Sequence, residues 1–228
     1  MVKKLLLIFV QILLSASLYA QKDVTQFMGI PVDGYKPEMI KKLKEKGFTV
    51  HSSEKDVLVG EFNGTNVIVS VVTNNNKVYR IMVADVNSIN EANIRIRFNN
   101  LCQQFKNNKN YVPASDYDYT IPEDENISYG MTVKNKRYQA SFYQLPTGWD
   151  HSVLEEEAQN ILFSKYTEEE LTNSTEEEQN DMIMTVASHL QDKLSKKTIW
   201  FMISESYGKY YITMFYDNVY NQANGEDL

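Results

Sequence analysis

The sequence predicts an α+β fold with a largely antiparallel sheet of about seven to eight strands and helices packed mainly on one face. Period-two alternation of apolar residues, interrupted by short turn signals, indicates strands that are joined by hairpins and are therefore antiparallel. Between these stretches, apolar residues recur at helical spacing behind capping residues, which indicates amphipathic helices. Helices that are segregated from such hairpins are typical of α+β folds.

The first helix is predicted between Pro37 and Gly47. Proline suits the first turn of a helix, and glycine suits the position just beyond the last turn. Within this span Met39, Ile40 and Leu43 share one face, so we expect that face to be buried.

A three-stranded meander is predicted next, because Asn63-Gly64 is the strongest hairpin signal in the chain. If these two residues form the turn, Phe62 lies opposite Thr65, and a second turn after Thr73 pairs that residue with Lys77. The apolar residues then alternate consistently across both turns, which specifies the register. The shared apolar face comprises Leu58, Phe62, Val67, Val69, Val71, Tyr79, Ile81 and Val83.

The segment Ser88–Glu91 matches a capping box and begins a helix that we expect to run to about Lys106. Cys102 lies on its apolar face and is the only cysteine of the chain, so an internal disulfide is excluded. We interpret it as a buried small hydrophobic residue, and a reactive or intermolecular thiol is the alternative. The predicted buried stripe comprises Ile94, Phe98, Leu101, Cys102 and Phe105.

A polar connection follows, which contains the acidic loop candidate Asp116-Tyr117-Asp118-Tyr119. A second hairpin is predicted over Tyr129–Phe142, with its turn at Asn135-Lys136. In this arrangement apolar residues would alternate along both strands and line one face of the sheet.

Three helical segments are predicted after this hairpin, at 152–163, at 166–173 and from about Thr175 to Leu194. The last hairpin, Thr198–Tyr216, turns near Tyr207-Gly208 and is apolar on both faces. Because both of its faces are apolar, we expect this hairpin either to be central in the sheet or to be covered on both sides.

The first twenty residues have the pattern of a cleavable secretory signal peptide. Lys3 and Lys4 precede an apolar run, and a stretch of small residues ends at Ala20, which predicts cleavage before Gln21. Bacterial lipoproteins carry cysteine at that position, so a lipid anchor is not expected. The alternative is an uncleaved membrane anchor, but the apolar run is shorter than the roughly 20 residues that a spanning helix needs. We therefore expect cleavage, and no stable membrane insertion of the mature chain.

We therefore expect residues 21–228 to form a single α+β domain that works in the periplasm or outside the cell. A weak break near 146–148 leaves open a division into sub-units 21–146 and 147–228. Two tandem α/β-meander units are the corresponding alternative architecture.

The charge of the mature chain argues against two classes of partner. Residues 21–228 include 21 basic and 30 acidic residues, a net charge of −9. Nucleic acids and anionic membrane surfaces both require a basic face on the protein. The glutamate triplets 155–157, 168–170 and 176–178 are interpreted as solvated helix starts.

No motif in the chain indicates catalysis. The sequence lacks a nucleophile elbow, a P-loop and a dinucleotide fingerprint, and its three histidines are not at metal-binding spacing. We therefore expect a protein that is not an enzyme, with no catalytic residue, no cofactor and no metal.

Fifteen tyrosines are the one compositional excess. Tyrosine combines apolar area with a polar tip, which suits recognition surfaces, although packing and loop anchoring would explain the same residues. The candidate ligand-binding tyrosines are those in or near loops: Tyr35, Tyr111, Tyr117, Tyr119, Tyr207 and Tyr220.

Several stretches of the sequence, taken together, resemble segments of a known protein family. They are Phe27–Gly34, Phe98–Leu101 with Gln104-Phe105, Lys209–Tyr211, and the ending Tyr216–Asn218 with Asn224–Leu228. Together they resemble a family of uncharacterised exported proteins of Bacteroides-type bacteria, which implies export but no activity. A weaker, architectural likeness is carried by the Gly-Ile-Pro segment at 29–31 with its following helix and meander. This arrangement resembles half of the beta-lactamase inhibitor protein fold, a unit shared by small outer-membrane assembly lipoproteins.

Three hypotheses about function follow from the sequence. The first is an exported, non-enzymatic binding or interaction module of the bacterial envelope, whose partner is an unknown protein or glycan. The second is a proteinaceous inhibitor of a secreted hydrolase, which rests on fold analogy. The third is an enzyme in which carboxylates such as Asp116, Asp118, Glu123 or Asp150 pair across loops for glycoside chemistry.

Overall fold

The computed structural model describes residues 23–223 and residue 225. Its main feature is an eight-stranded antiparallel sheet combined with helices, which confirms the predicted α+β class. The predicted signal peptide, residues 1–20, and its cleavage site before Gln21 lie outside the described residues.

Most elements follow one another through short connections, but helical segments separate two pairs of neighbouring strands in the chain. A small ribbon of β1 (Gln26–Phe27) and β2 (Ile30–Pro31) precedes the main sheet. The helices are α1 (Lys36–Glu45), α2 (Glu91–Asn107), α3 (Ile127–Thr132), α4 (His151–Lys165), α5 (Glu168–Asn173) and α6 (Glu176–Leu194). The sheet strands are β3 (Thr49–Val50), β4 (Val57–Phe62), β5 (Thr65–Asn74), β6 (Lys77–Asp85), β7 (Tyr111–Pro113), β8 (Gln139–Gln144), β9 (Thr198–Ser206) and β10 (Lys209–Asp217).

The strand order β3-β4-β5-β6-β10-β9-β8-β7 divides the sheet into two four-stranded halves. Each half is preceded by a helix: α1 packs over β5 and β6, and α2 packs over β9 and β10. The halves meet where β6 pairs with β10, with Ala84 opposite Thr213. The last hairpin is therefore central, which is the first of the two predicted arrangements. The weak sequence break at 146–148 falls between β8 and β9, which pair with each other.

Two hairpin turns have the backbone that their sequences predict. Phe62 lies opposite Thr65, and Asn63 and Gly64 both have positive φ angles, of 50° and 71°. At the other turn Tyr207 and Gly208 have φ angles of 52° and 71°. Two successive positive φ angles produce the tight turn whose twist matches the flanking strands.

The predicted pairing of Thr73 with Lys77 is wrong by one residue. Thr73 lies opposite Val78, and a bulge between Val72 and Thr73 changes the register of the rest of the strand pair. Val78 is consequently buried in the core, whereas Tyr79, predicted on the core face, is partly exposed. The physical reason is the turn, because Asn75 and Asn76 both adopt positive φ and form a two-residue connection instead of a three-residue one.

The predicted hairpin over Tyr129–Phe142 is also wrong. Its first arm is helix α3, because the side chain of Asn126 accepts a hydrogen bond from the Tyr129 N–H and caps the helix. Gly130 then packs directly against the Tyr138 hydroxyl, where a Cβ atom would collide. The second arm is strand β8, which pairs with β7 and β9 instead.

The main core lies between one face of the sheet and the helices α1 and α2. Helix α1 buries Met39 and Leu43, and α2 buries its whole predicted stripe, including Cys102. The ribbon β1–β2 adds Phe27, whose ring centroid lies 4.9 Å from that of Tyr216 and 5.0 Å from that of Phe62. Edge-on and tilted ring contacts of this kind add to the stabilisation from buried area.

Two bidentate ion pairs lie at the centre of the sheet, one joining β6 to helix α2 and the other joining β10 to β6. Asp85 on β6 accepts two hydrogen bonds from Arg97 of α2, at 2.6 and 2.7 Å, and one from the backbone N–H of Ile212 on β10. On the opposite face Asp217 accepts bonds from Arg80 at 2.6 and 2.8 Å and from the Trp200 indole at 3.0 Å. The hydrogen bond to the Asp217 carboxylate raises the pKa of Arg80 above its ordinary value.

Replacing Asp217 by alanine is expected to lower the free energy of unfolding by about 3 kcal/mol, because Arg80 and the Trp200 indole lose their acceptor. The Asp217 side chain is only 8 % exposed. The matched control is Asp56→Ala, which breaks the Lys36 ion pair at a side chain that is 73 % exposed and should cost less than about 1 kcal/mol. Urea unfolding followed by circular dichroism measures both values, and equal losses would contradict the central role of Asp217.

Candidate functional site

The structure brings three of the six candidate tyrosines together. Tyr111, Tyr117 and Tyr119 lie around the C-terminal half of α2, near the β7 edge of the sheet. Phe105 and Phe142 connect them into a chain of rings, with successive centroid distances of 4.9, 4.9, 5.7 and 6.0 Å from Tyr111 to Tyr117. This chain of contacts joins two surface clefts on either side of α2.

The other three candidates line neither of these two clefts. Tyr35 is the N-cap residue of α1, and the Lys77 ammonium lies 4.1 Å from its ring centroid. Tyr207 is fully exposed at the tip of the β9–β10 hairpin. Tyr220 is exposed in a short 3₁₀ turn after β10, where its backbone N–H donates to the side chain of Asn218. The six tyrosines therefore do not share one cleft.

The first cleft, which we call the tyrosine cleft, has a volume of about 390 Å³. It is formed by α2 on one side, the loop 114–120 on the other and Phe142 of β8. Its volume lies within the range of small-molecule sites. The lining residues are Cys102, Gln103, Lys106, Pro113, Ser115, Asp116, Tyr117, Asp118, Tyr119, Thr120 and Phe142.

The loop of the tyrosine cleft is held by its own side chains. Asp118 accepts hydrogen bonds from the backbone N–H and the hydroxyl of Thr120, at 3.1 and 2.9 Å. The Ser115 and Tyr119 hydroxyls are 3.0 Å apart and share a hydrogen bond. Tyr117, in contrast, has a side chain that is 73 % exposed and lies at the rim. The loop thus fixes one tyrosine against Phe142 and presents the other to solvent.

The end of the loop is tied to α2 by an amide clamp. The Asn99 side chain donates to the carbonyl of Ile121 at 2.9 Å and accepts from its N–H at 2.8 Å. Asn99 satisfies both backbone groups of a residue whose apolar side chain is buried in the core. The clamp holds the base of the loop, so the cleft geometry depends on α2.

The charges of the tyrosine cleft favour an ionised carboxylate and a neutral thiol. Hydrogen bonds from Thr120, helped by the Lys106 charge, hold the pKa of Asp118 below its usual value. Burial and the neighbouring Asp118 raise the pKa of the Cys102 thiol to about 12. Asp116 is exposed, and within the part of the chain that the structure describes its carboxylate accepts no hydrogen bond. The cleft therefore offers hydrogen-bond acceptors but no thiolate nucleophile at neutral pH.

The second cleft is more apolar and lies on the other side of α2, with a volume of about 390 Å³. Met28, in the β1–β2 turn, forms one wall, and Met214 and Tyr216 of β10 line it from the sheet. Burial raises the pKa of Tyr216, so its phenol stays neutral. The remaining lining residues are Glu61, Phe62, Asn63, Leu101, Gln104, Phe105, Asn108 and Tyr111.

The four carboxylates considered for glycoside chemistry lie in different parts of the structure. Asp116 and Asp118 line the tyrosine cleft, and Glu123 is exposed in a turn before α3. Asp150 caps helix α4 by accepting hydrogen bonds from the N–H groups of Ser152 and Val153. The pKa values of Asp118 and Asp150 are both lowered by these hydrogen bonds. A general acid for glycoside cleavage needs a raised pKa, so neither carboxylate has the property of that acid.

Two of the three glutamate triplets, 168–170 and 176–178, form helix starts as predicted, whereas 155–157 lies in the interior of α4. Glu170 and Glu178 close capping boxes with Thr167 and Thr175, and their pKa values are lowered by those bonds. In residues 23–223 and 225, no group of three His, Cys, Asp or Glu side chains is placed to hold a metal ion. Among the same residues, no helix combines the length and apolar character needed to cross a membrane.

Sequence reasoning missed the apolar parts of both clefts. The sequence predicts only a strand position for Phe142 and no element for Met28, because their places in the clefts depend on the pairing of β8 with β9 and on the position of the β1–β2 ribbon. Among known proteins, no family model, no curated sequence and no solved structure matches this chain.

The raised pKa of Cys102 predicts slow reaction with thiol reagents. At pH 8 a thiol with a pKa of about 12 is ionised to about one part in ten thousand, so labelling by a disulfide reagent should be at least about 1000-fold slower than for free cysteine. Time-resolved absorbance in buffer and in 6 M guanidinium measures the two rates, the unfolded chain serving as control. Rapid labelling of the folded protein would show instead that Cys102 is a reactive thiol.

Proposed function

We propose that the chain is an exported, non-enzymatic binding module of the bacterial envelope, periplasmic or extracellular, that holds a saccharide in the tyrosine cleft. The observation that carries the proposal is the combination in one cleft of Tyr117 and Tyr119 with Asp116 and Asp118. The leader-like first twenty residues and the resemblance to exported Bacteroides-type proteins support the location.

A saccharide fits this cleft by its chemistry. One side of a sugar ring is a sheet of C–H groups, which packs on aromatic rings such as the exposed Tyr117 ring. Its hydroxyls need acceptors and donors, and Asp116, Gln103 and Lys106 supply both kinds around the same cleft. Hydrogen bonds to an ionised carboxylate are about twice as strong as neutral ones. The volume of about 390 Å³ suits a ligand of one or two sugar units.

Binding without turnover is the interpretation that the electrostatics favour. Hydrolysis of a glycosidic bond requires one protonated and one ionised carboxyl group on opposite sides of the bond. Asp118 is engaged by Thr120 and stays ionised, and Cys102 stays protonated. Asp118 therefore lacks the proton that a general acid must donate, and Cys102 is not present as a thiolate nucleophile.

Removing the exposed ring should weaken saccharide binding selectively. A glycan array probed with residues 21–228 identifies a binding sugar, and calorimetry with that sugar measures its affinity. Tyr117→Ala should raise Kd about tenfold, since an aromatic contact contributes about 1.4 kcal/mol. Tyr207→Ala, which removes a tyrosine that is fully exposed and does not line the cleft, is the matched control. An empty array, or equal losses in the two variants, would contradict the proposal.

A second candidate, an inhibitor of a secreted hydrolase, is favoured by the tip of the β9–β10 hairpin. Tyr207 is fully exposed there, and the Glu205 carboxylate accepts a 2.5 Å hydrogen bond from the Gly208 N–H and holds the turn. A rigid loop that presents one large side chain suits insertion into an enzyme cleft. The architectural likeness to the beta-lactamase inhibitor protein fold points to the same class.

The same two variants test the inhibitor hypothesis, with the roles of test variant and control reversed. In an inhibition panel of secreted proteases, lysozymes and beta-lactamases, Tyr207→Ala should raise the inhibition constant about 30-fold, as for a residue that contributes about 2 kcal/mol to an interface. Tyr117→Ala should leave inhibition unchanged. Absence of inhibition across the panel, or an effect of Tyr117 alone, would exclude the hairpin tip as an inhibitory loop.

A further inference from the structure

The more apolar cleft lies between helix α2 and the sheet, and its inner walls belong to the core. Met214 and Tyr216 line it from β10, and Leu101 and Phe105 line it from α2. All four side chains are buried and belong to the main core cluster. Because the core fixes their positions, the cleft is formed before any ligand arrives, which is usual for small-molecule sites.

The rim of this cleft is exposed to solvent. Met28 is 36 % exposed, and the exposed side chains of Asn63 and Gln104 share a 2.8 Å hydrogen bond that connects the β4–β5 hairpin to α2. Met28 and Gly29 have φ angles of 51° and 77°, which define the tight turn that carries the methionine. A methionine side chain is flexible and adapts to apolar surfaces of different shape. The rim therefore combines a fixed backbone with an adaptable side chain.

A buried hydroxyl group without a hydrogen-bond partner lies at this cleft. Tyr216 is only 3 % exposed, and among residues 23–223 and 225 no group forms a hydrogen bond with its phenol oxygen. In the same part of the chain, Arg95 Nε is the only fully enclosed and unpartnered side-chain nitrogen or oxygen of a residue that is not exposed. The Tyr216 oxygen therefore keeps some accessible surface, and the residue lines this cleft. Buried hydroxyls in proteins are usually paired, so an unpaired one at a cleft points to a ligand with an acceptor.

Tyr111 supplies a second hydroxyl donor at the same cleft. Its phenol oxygen accepts a 3.3 Å hydrogen bond from the Gln144 side-chain amide, and within the described chain its own proton is donated to no residue. The Tyr111 and Tyr216 hydroxyls are close enough to interact electrostatically. Burial raises the pKa of both phenols, so both stay protonated and can donate. Two neutral donors suit one acceptor oxygen with two lone pairs, such as a carbonyl oxygen.

The charges around the cleft argue against an anionic ligand. None of its lining residues is a lysine, arginine or histidine, and the one acidic residue among them is Glu61 at the exposed rim. A carboxylate placed beside Tyr216 would leave water without a cation to pair with, which is costly in an apolar site. An uncharged carbonyl group loses less hydration and is satisfied by the phenol donors. The chemistry of the cleft therefore favours an uncharged ligand.

We propose that the more apolar cleft binds a small, uncharged aliphatic ester. The ester carbonyl accepts hydrogen bonds from the hydroxyls of Tyr216 and Tyr111, and the aliphatic chain packs against Leu101, Phe105 and Met214. The cleft volume of about 390 Å³ lies within the range of small-molecule sites. No residue that lines this cleft also lines the tyrosine cleft, so this proposal and the saccharide proposal can fail independently.

The test compares methyl octanoate, an uncharged ester, with octanoate, the carboxylate of the same chain. Residues 21–228 carry a carbon-13 label in the methionine methyl groups, and NMR titration follows Met28 and Met214 of the cleft. Met184, which is 67 % exposed on α6 and does not line the cleft, is the internal control. We expect methyl octanoate to shift the Met28 and Met214 signals saturably, and octanoate to bind about tenfold more weakly at neutral pH. Unchanged Met28 and Met214 signals, equal shifts at Met184, or equal affinities for the two probes would overturn the proposal.

A conservative variant tests the role of the buried hydroxyl. Tyr216→Phe keeps the ring and should raise the Kd for methyl octanoate about fivefold, since one neutral hydrogen bond is lost. Tyr111→Phe should act in the same direction. The matched control is Tyr210→Phe, which removes the hydroxyl of another buried tyrosine of β10 that does not line the cleft, and it should change Kd less than about twofold. Equal effects of Tyr216→Phe and Tyr210→Phe would overturn the proposal, and circular dichroism verifies that every variant is folded.

Discussion

The carboxylate of Asp217 is the constraint on which the arrangement of the sheet depends. Its side chain binds Arg80 of β6 and the indole of Trp200 on β9, so three neighbouring central strands meet at one group. Its backbone carbonyl accepts a 2.5 Å bond from the Thr25 hydroxyl, which ties the start of the described chain to its last strand. Trp200 and Phe215 stack with centroids 3.9 Å apart, and the Arg80 guanidinium lies over both rings. A buried charge with fewer partners would destabilise the fold, whereas this one is fully engaged.

The positions of both clefts depend on this arrangement of the central strands. The more apolar cleft is lined by Met214 and Tyr216 of β10, and its position follows from the pairing of β10 with β6. The tyrosine cleft lies at the far edge of the same half, where α2 crosses Phe142 of β8. Arg97 anchors α2 to β6 through Asp85, so the helix that separates the clefts is fixed relative to the sheet centre. Helices α4, α5 and α6, in contrast, contribute no residue to this main core cluster.

Local signals predicted the parts of the fold that local chemistry determines. Asn63-Gly64 and Tyr207-Gly208 adopt the positive φ angles of tight hairpin turns, and the α2 stripe is buried as its spacing indicates. The bulge beside Thr73 could not be predicted, because three consecutive asparagines allow more than one turn. The alternation pattern places Gly130 and Tyr138 on paired strands, whereas in the structure Gly130 belongs to helix α3 and packs against the Tyr138 hydroxyl, a contact that no local signal predicts. For the site, loop position identified Tyr117 and Tyr119, but only the tertiary fold shows that Tyr35, Tyr207 and Tyr220 line neither cleft.

The strand order also determines when the fold can be completed. The inner edge of the first half is β6, and its partner is β10, the last strand of the chain. As the chain emerges from its N-terminus, residues 49–85 can form a four-stranded meander, but the open edge of β6 stays unpaired until residues 209–217 are available. Pairings over such sequence separations form slowly, because much loop entropy is lost before they contribute. The sheet is therefore completed only when β10 pairs with β6. A truncation before β10 would leave the edge of β6 exposed, and other chains could pair with that edge.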